Sequence, residues 1–71
     1  MLKDYKGNFC FVNEEYFIVE NQHGFDLVHC EEIQQYMFDI TNDESLLTED
    51  YEHMKYLLET KYDVYSEIIG G

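Results

Sequence analysis

Five side chains in this sequence have the chemistry of metal ligands or nucleophiles: Cys10, Cys30, His23, His29 and His53. Structural zinc sites draw on cysteines and histidines paired a few residues apart. Here only His29 and Cys30 are neighbours, and no such spacing recurs. No local motif supports a Cys–His nucleophile either. The segment DITNDESLLTED, residues 39–50, places Asp39, Thr41 and Asp43 at the alternate positions of a calcium loop. It then has Glu44 where that loop turns on glycine, and Asp50 where it needs a bidentate glutamate. The reading is a protein without metal, cofactor or catalytic machinery. Cys10 and Cys30 lie in apolar patterns and read as reduced, buried thiols.

The remaining chemistry is that of carboxylates. Sixteen Asp and Glu face four Lys and no Arg, a net charge of -12. Residues 49–67, EDYEHMKYLLETKYDVYSE, hold six of the acids and two lysines. Glu59, Asp63 and Glu67 step by four, which on a helix separates successive carboxylates by ~6 Å. Phosphates along one DNA strand lie roughly 6–7 Å apart. Glu49 and Glu52 extend the stripe, and Tyr56 lies within it. Like charges four apart weaken a helix by a few tenths of a kcal/mol each, and Lys55 and Lys61 fall off the stripe. A solvated helix face and a partner-binding surface are both consistent with this pattern. A second acidic group, Glu31, Glu32 and Asp39 with Phe38 among them, falls on the polar side of an earlier helix.

The elements that must carry these groups follow from periodicity. Phe9–Val12, Tyr16–Val19 and Phe25–Val28 are short aromatic and β-branched runs separated by turn residues, the pattern of strands. NQHG, residues 21–24, reads as a turn in which Gly24 supplies a positive φ. Apolar residues fall on both faces of the hairpin, so either both faces are covered or one is open to a partner. Cys30, Ile33, Tyr36, Met37 and Ile40 then recur at three- and four-residue spacing, one face of a helix over about 29–41. Thr48 is the candidate N-cap of a second helix. Met54, Leu57, Leu58, Tyr65 and Ile68 form that helix's apolar face. The periodicity carries it to Ile69, with Gly70 and Gly71 as its stop. The β-branched and aromatic residues of Thr60–Tyr65 suit a last strand instead, but the unbroken period favours helix.

The expectation is one α+β domain over residues 1–71: a small antiparallel meander of about three strands over 5–28, then two helices on one face. Seven Tyr and five Phe give such a short chain a core and set it apart from disordered acidic tails. The start MLKDY lacks the apolar run of a signal peptide, and no stretch is long enough to span a membrane. A cytoplasmic protein is expected.

The profile of the whole chain is very acidic, tyrosine-rich and free of Arg. It resembles small inhibitors from phages and mobile elements, DNA mimics and anti-CRISPR proteins among them. The resemblance is one of composition. It implies an acidic inhibitor that occupies the basic nucleic-acid-binding surface of a host enzyme. The contacts would come from Glu49, Glu52, Tyr56, Glu59, Asp63 and Glu67, or from Glu31, Glu32, Phe38 and Asp39. Without basic residues to displace counterions, the chain is not expected to bind nucleic acid directly. An immunity protein against a basic nuclease would use the same physics. A small oligomerisation module, homodimeric through an edge strand, is the other reading.

Overall fold

The computed structural model describes residues 2–70. The element order is β1 (Glu15–Asn21), β2 (Gly24–His29), α1 (Ile33–Thr41), a 3-10 turn (Glu44–Leu46), α2 (Tyr51–Tyr62) and β3 (Tyr65–Ile68). The three strands form one antiparallel sheet in the order β2-β1-β3. The chain is thus an α+β fold with a three-stranded antiparallel sheet and two helices, as its sequence suggests.

The hairpin is the most local part. Tyr16, Phe17, Ile18 and Val19 are β-branched or aromatic, and β1 extends through them. Asn21 faces Gly24 across a two-residue turn in which Asn21 Oδ1 accepts from the His23 N–H (2.9 Å). Gly24 has φ 127, which a side chain would resist.

The third strand comes from the other end of the chain. Residues 9–12 form no strand; among them only Phe9 makes an isolated bridge, to Lys3. The edge of β1 that they would occupy is taken by β3, with Phe17 opposite Ser66 and Ile18 opposite Tyr65. The second helix therefore ends at Tyr62 and does not reach Ile69. Asp63 turns left-handed (φ 54), and its N–H and that of Val64 both reach the Leu58 carbonyl. Aspartate tolerates this conformation better than most residues because its short polar side chain bonds locally. Gly70 consequently caps no helix, and Gly71 lies outside the described residues. Two smaller corrections concern helix starts. The first helix begins at Ile33, after a turn over 30–32. Asp50, not Thr48, caps α2, its carboxylate accepting from the His53 N–H (3.2 Å).

Alternation along the strands divides the sheet into two faces. Phe17, Val19 and Val28 point toward the helices and meet Ile33, Met37, Leu46, Met54, Leu58 and Val64 in the core. The opposite face holds Tyr16, Ile18 and Leu27. Residues before β1 form an arm that bonds to the outer edge of β2, where the Tyr5 N–H meets the Leu27 carbonyl (2.9 Å). The arm then reaches Tyr16, whose hydroxyl accepts from the Phe11 N–H (2.8 Å). Tyr16 and Leu27 are buried, whereas Phe9, Phe11, Phe25 and Tyr65 are exposed. The two-sided apolar pattern of the hairpin thus resolves into one face covered by helices and one covered in part.

Glu15 joins three elements. Its carboxylate accepts from Lys55 Nζ (2.9 Å) and the Tyr51 hydroxyl on α2, and from Ser66 Oγ on β3 (2.6 Å). Burial alone would raise its pKa; these donors and the Lys55 charge outweigh that and hold the carboxyl down at about 2. Asp43 does similar work at the far end of α2, taking Lys61 Nζ (2.6 Å), the Tyr62 hydroxyl (2.6 Å) and Ser45 Oγ (2.6 Å). Those bonds hold its carboxyl well below the ordinary range.

Candidate partner-binding surface

The acidic residues do not form one helical stripe. Glu52, Tyr56 and Glu59 share α2, whose bounds are Tyr51–Tyr62. Asp63 is the left-handed cap beyond the helix, and Glu67 lies on β3 opposite Tyr16, on the sheet face away from the helices. The phosphate-like step from Glu59 through Asp63 to Glu67 is therefore absent. Nor is the α2 face purely acidic. The charges of Glu52 and Glu59 reach Lys55, which lies between them and raises its pKa partly on their account, after its hydrogen bond to Glu15. Tyr56 is exposed there, as a contact residue must be.

The structure instead gathers carboxylates around α1. A groove of about 530 Å³ between α1 and the N-terminal arm is lined by Tyr5, Glu31, Glu32, Tyr36, Asp39 and Ile40, with Lys6 and Gln35. A second, of about 300 Å³, lies between α1 and the start of α2 and includes Cys30, Glu31, Glu49 and Met54. A third, of about 370 Å³, includes Val19, Glu20, Ile40, Tyr62 and Asp63. Glu31 lines the first two grooves and Ile40 the first and third. The three are therefore consecutive, forming a belt around α1. Glu49 and Glu31, placed by sequence in separate patches, meet in one groove. Asp63 and Glu20 meet in another. Glu20 and Ile40 carried no sequence signal for this role: Glu20 sat at a strand end, and Ile40 belonged to the apolar face of its helix.

Ile40 is 61% exposed, although its spacing matches buried Ile33 and Met37. It sits in the last turn of α1, at the rim of the third groove with Val19 and Glu20 of β1. Phe38, expected partly exposed, is half-buried. The groove floor beside Ile40 is aromatic. Tyr5 and Tyr36 meet edge to face at 4.9 Å, and the Tyr36 hydroxyl donates to Asp26 (2.9 Å). Burial, then that bond, pushes the Tyr36 phenol up to about 12. Among the described residues, Asp39 accepts one side-chain hydrogen bond, from Gln35 Nε2 (2.7 Å).

The distribution of cations sets the field around the belt. Lys6 pairs with Glu32, Lys55 with Glu15 and Lys61 with Asp43; in each pair the carboxylate is no more than 30% exposed. Three of the four lysines thus face half-buried acids. Among the described residues, Glu31, Asp39, Glu49, Glu20, Asp63 and Glu67 have no salt-bridge partner. The outer surface is therefore predominantly acidic, although Lys6 and Lys61 stay about half exposed beside their partners.

Both thiols are free and half-buried, and burial raises the pKa of each. Among the described residues, no three His, Cys, Asp or Glu side chains converge on a common point. Asp43, central to the calcium-like segment, is occupied by Lys61, Tyr62 and Ser45. No helix among the described residues is long and apolar enough to cross a membrane. No family model, no curated protein and no solved structure matches this chain.

Proposed function

We propose that this protein is an acidic inhibitor that occupies the basic nucleic-acid-binding surface of a host protein, competing with DNA or RNA for it. The supporting observation is the placement of the lysines. Three pair with half-buried carboxylates, so Glu31, Asp39 and Glu49 around α1 have no salt-bridge partner among the described residues, with Lys6 on Glu32 the one lysine lining the first groove. Such a surface attracts a basic partner at long range and speeds encounter. Charge gives little specificity alone. Ile40, Tyr5 and Tyr36 supply the apolar contact that slows release. The α1 belt is preferred over α2 because its first groove sets Glu31 and Asp39 beside exposed Ile40 and the Tyr5–Tyr36 pair. Phage-encoded anti-CRISPR or anti-restriction activity, acting in a host cytoplasm, is the form in which this chemistry is expected, and an immunity protein against a basic nuclease is its near neighbour.

The test is competition. The protein is used to capture partners from nuclease-treated host lysate, and each retained protein is assayed for release of labelled DNA or RNA when the acidic protein is added. Stoichiometric release that weakens with salt is expected. The double variant Glu31→Lys, Asp39→Lys should lose it by a hundredfold or more, since reversed charges at a contact cost several kcal/mol. Both side chains are exposed, so circular dichroism and melting temperature should be little changed. Retained proteins that keep their nucleic acid, or a folded double variant that competes as well as the parent, would refute the proposal.

A further inference from the structure

The sheet has two edges, and they are treated differently. Along β2, the arm bonds to Leu27 and blunts the edge. Along β3, nothing among the described residues does so. The hydrogen-bond register fixes which groups are open. The Ile69 N–H bonds to the Glu14 carbonyl (3.0 Å), and Glu67 and Tyr65 lie opposite Tyr16 and Ile18. In an antiparallel pair, alternate residues turn their backbone groups to opposite sides. Residues 65, 67 and 69 therefore face β1, and Ser66 and Ile68 direct N–H and C=O away from the sheet.

Proteins ordinarily protect such an edge with lysine, proline, a bulge or a covering segment. The strand YSEI has neither lysine nor proline. Ile68 is 62% exposed and Tyr65 53%. The charges near this edge are negative: Glu67 within the strand, and Asp63 with Glu20 at its start. Lys55 and Lys61, the lysines of the preceding helix, are held by Glu15 and Asp43.

We infer that the β3 edge takes a cationic, extended segment of the partner as a fourth strand. This rests on the proposed function, which requires a basic partner, and names how part of that partner is held. Backbone bonds to Ser66 and Ile68 supply the affinity, Ile68 and Tyr65 the apolar contact, and Glu67 selects lysine or arginine on the face away from the helices. A second copy of this chain is the poorer occupant. Each copy carries -12, and the antiparallel register centred on Glu67 sets that residue against itself, which is destabilising.

The probe is a nine-residue peptide alternating lysine and valine. Its control is the same peptide with four central amides N-methylated, which keeps the charge but cannot add as a strand. Calorimetry at low salt should show at least tenfold weaker binding of the control. Amide exchange in the complex with the unmethylated peptide should slow at least tenfold at Ser66 and Ile68. Ile68→Pro, tolerated where an edge N–H faces solvent, should abolish the preference. Equal binding of the two peptides without protection at Ser66 and Ile68 would overturn this inference and leave the acidic-surface reading standing. No salt-sensitive binding of either peptide would overturn both. Protection at Ser66 and Ile68 without peptide, growing with salt and protein concentration, would make the occupant a second copy and refute the cationic strand.

Discussion

Replacing Glu15 by Gln isolates the contribution of the one carboxylate that ties β1, α2 and β3 together. The carboxyl is lowered from 4.5 to about 2 on folding. A shift of that size corresponds to ~3 kcal/mol at neutral pH if fully expressed. Water reaches about a fifth of the side chain, and screening reduces the expected contribution to about 1–2 kcal/mol. The sign is that of a depressed acid: the stabilisation is complete above the unfolded pKa and is lost as pH falls through the folded one. Between wild type and Glu15→Gln, the difference should be full at pH 6–7, roughly 40% of that at pH 3, and about a tenth at pH 2. In a domain of this size, 1–2 kcal/mol lowers the melting temperature by about 4–16 °C. Urea unfolding of both proteins at pH 7, 6, 3 and 2 reads this directly and avoids the poorly soluble region near the isoelectric point of 4.2. A difference that stays constant from pH 7 to pH 2 would refute the reasoning. It would mean that Glu15 acts through accepted hydrogen bonds that the amide nitrogen of glutamine cannot replace, and not through the titration of its charge.

Asp63→Gly should stabilise the protein by about 0.5–1 kcal/mol, because the left-handed cap at φ 54 strains any side chain; a higher urea midpoint checks it. Leu46→Ala should cost about 2–5 kcal/mol, since Leu46 is fully buried in the core although it lies in a three-residue 3-10 turn; a loss under 1 kcal/mol in urea melts would show that the turn packs loosely. Raising salt from 20 to 300 mM should raise the melting temperature and weaken partner binding together. The same exposed carboxylates repel one another in the free protein and attract the partner in the complex.

What the sequence made legible was local. Tyr16–Val19 and Phe25–Val28 are dense in β-formers on either side of a turn with Asn21 and Gly24, and those strands formed. The helix over 33–41 followed from Ile33 and Met37. The long second helix failed because Tyr65 and Ile68 fell by coincidence on the three-to-four period of Met54 and Leu58. That period cannot distinguish a helix face from a strand that begins three residues after the helix ends. The usable signals were Thr60, Val64 and Tyr65, all β-formers, and Asp63, one of the few residues that tolerates a left-handed cap. Phe9–Val12 alternates like a strand but lost its place to residues more than fifty positions away, a competition no local pattern records. Glu15 carried no local signal for the same reason: its donors are Tyr51, Lys55 and Ser66, all distant in sequence.

The failure of the long helix also changes what the acidity means. On one continuous helix, Glu59, Asp63 and Glu67 would have formed a rigid row with phosphate-like spacing. Dispersed over α2, its cap and β3, they cannot present that row to a partner. A surface that attracts a basic protein does not need such a lattice, however; it needs carboxylates without counterions beside apolar groups that exclude water. Lys6, Lys55 and Lys61 create that condition by turning toward Glu32, Glu15 and Asp43. Had those lysines paired instead with Glu31, Asp39 or Glu49, the acids around α1 would carry less of the field that a basic partner meets. The fold therefore separates two jobs that one composition left merged. Paired acids hold the elements together, and unpaired acids around α1 and along β3 remain free to be replaced without loss of the core, which is why charge reversal at Glu31 and Asp39 can test function without testing stability.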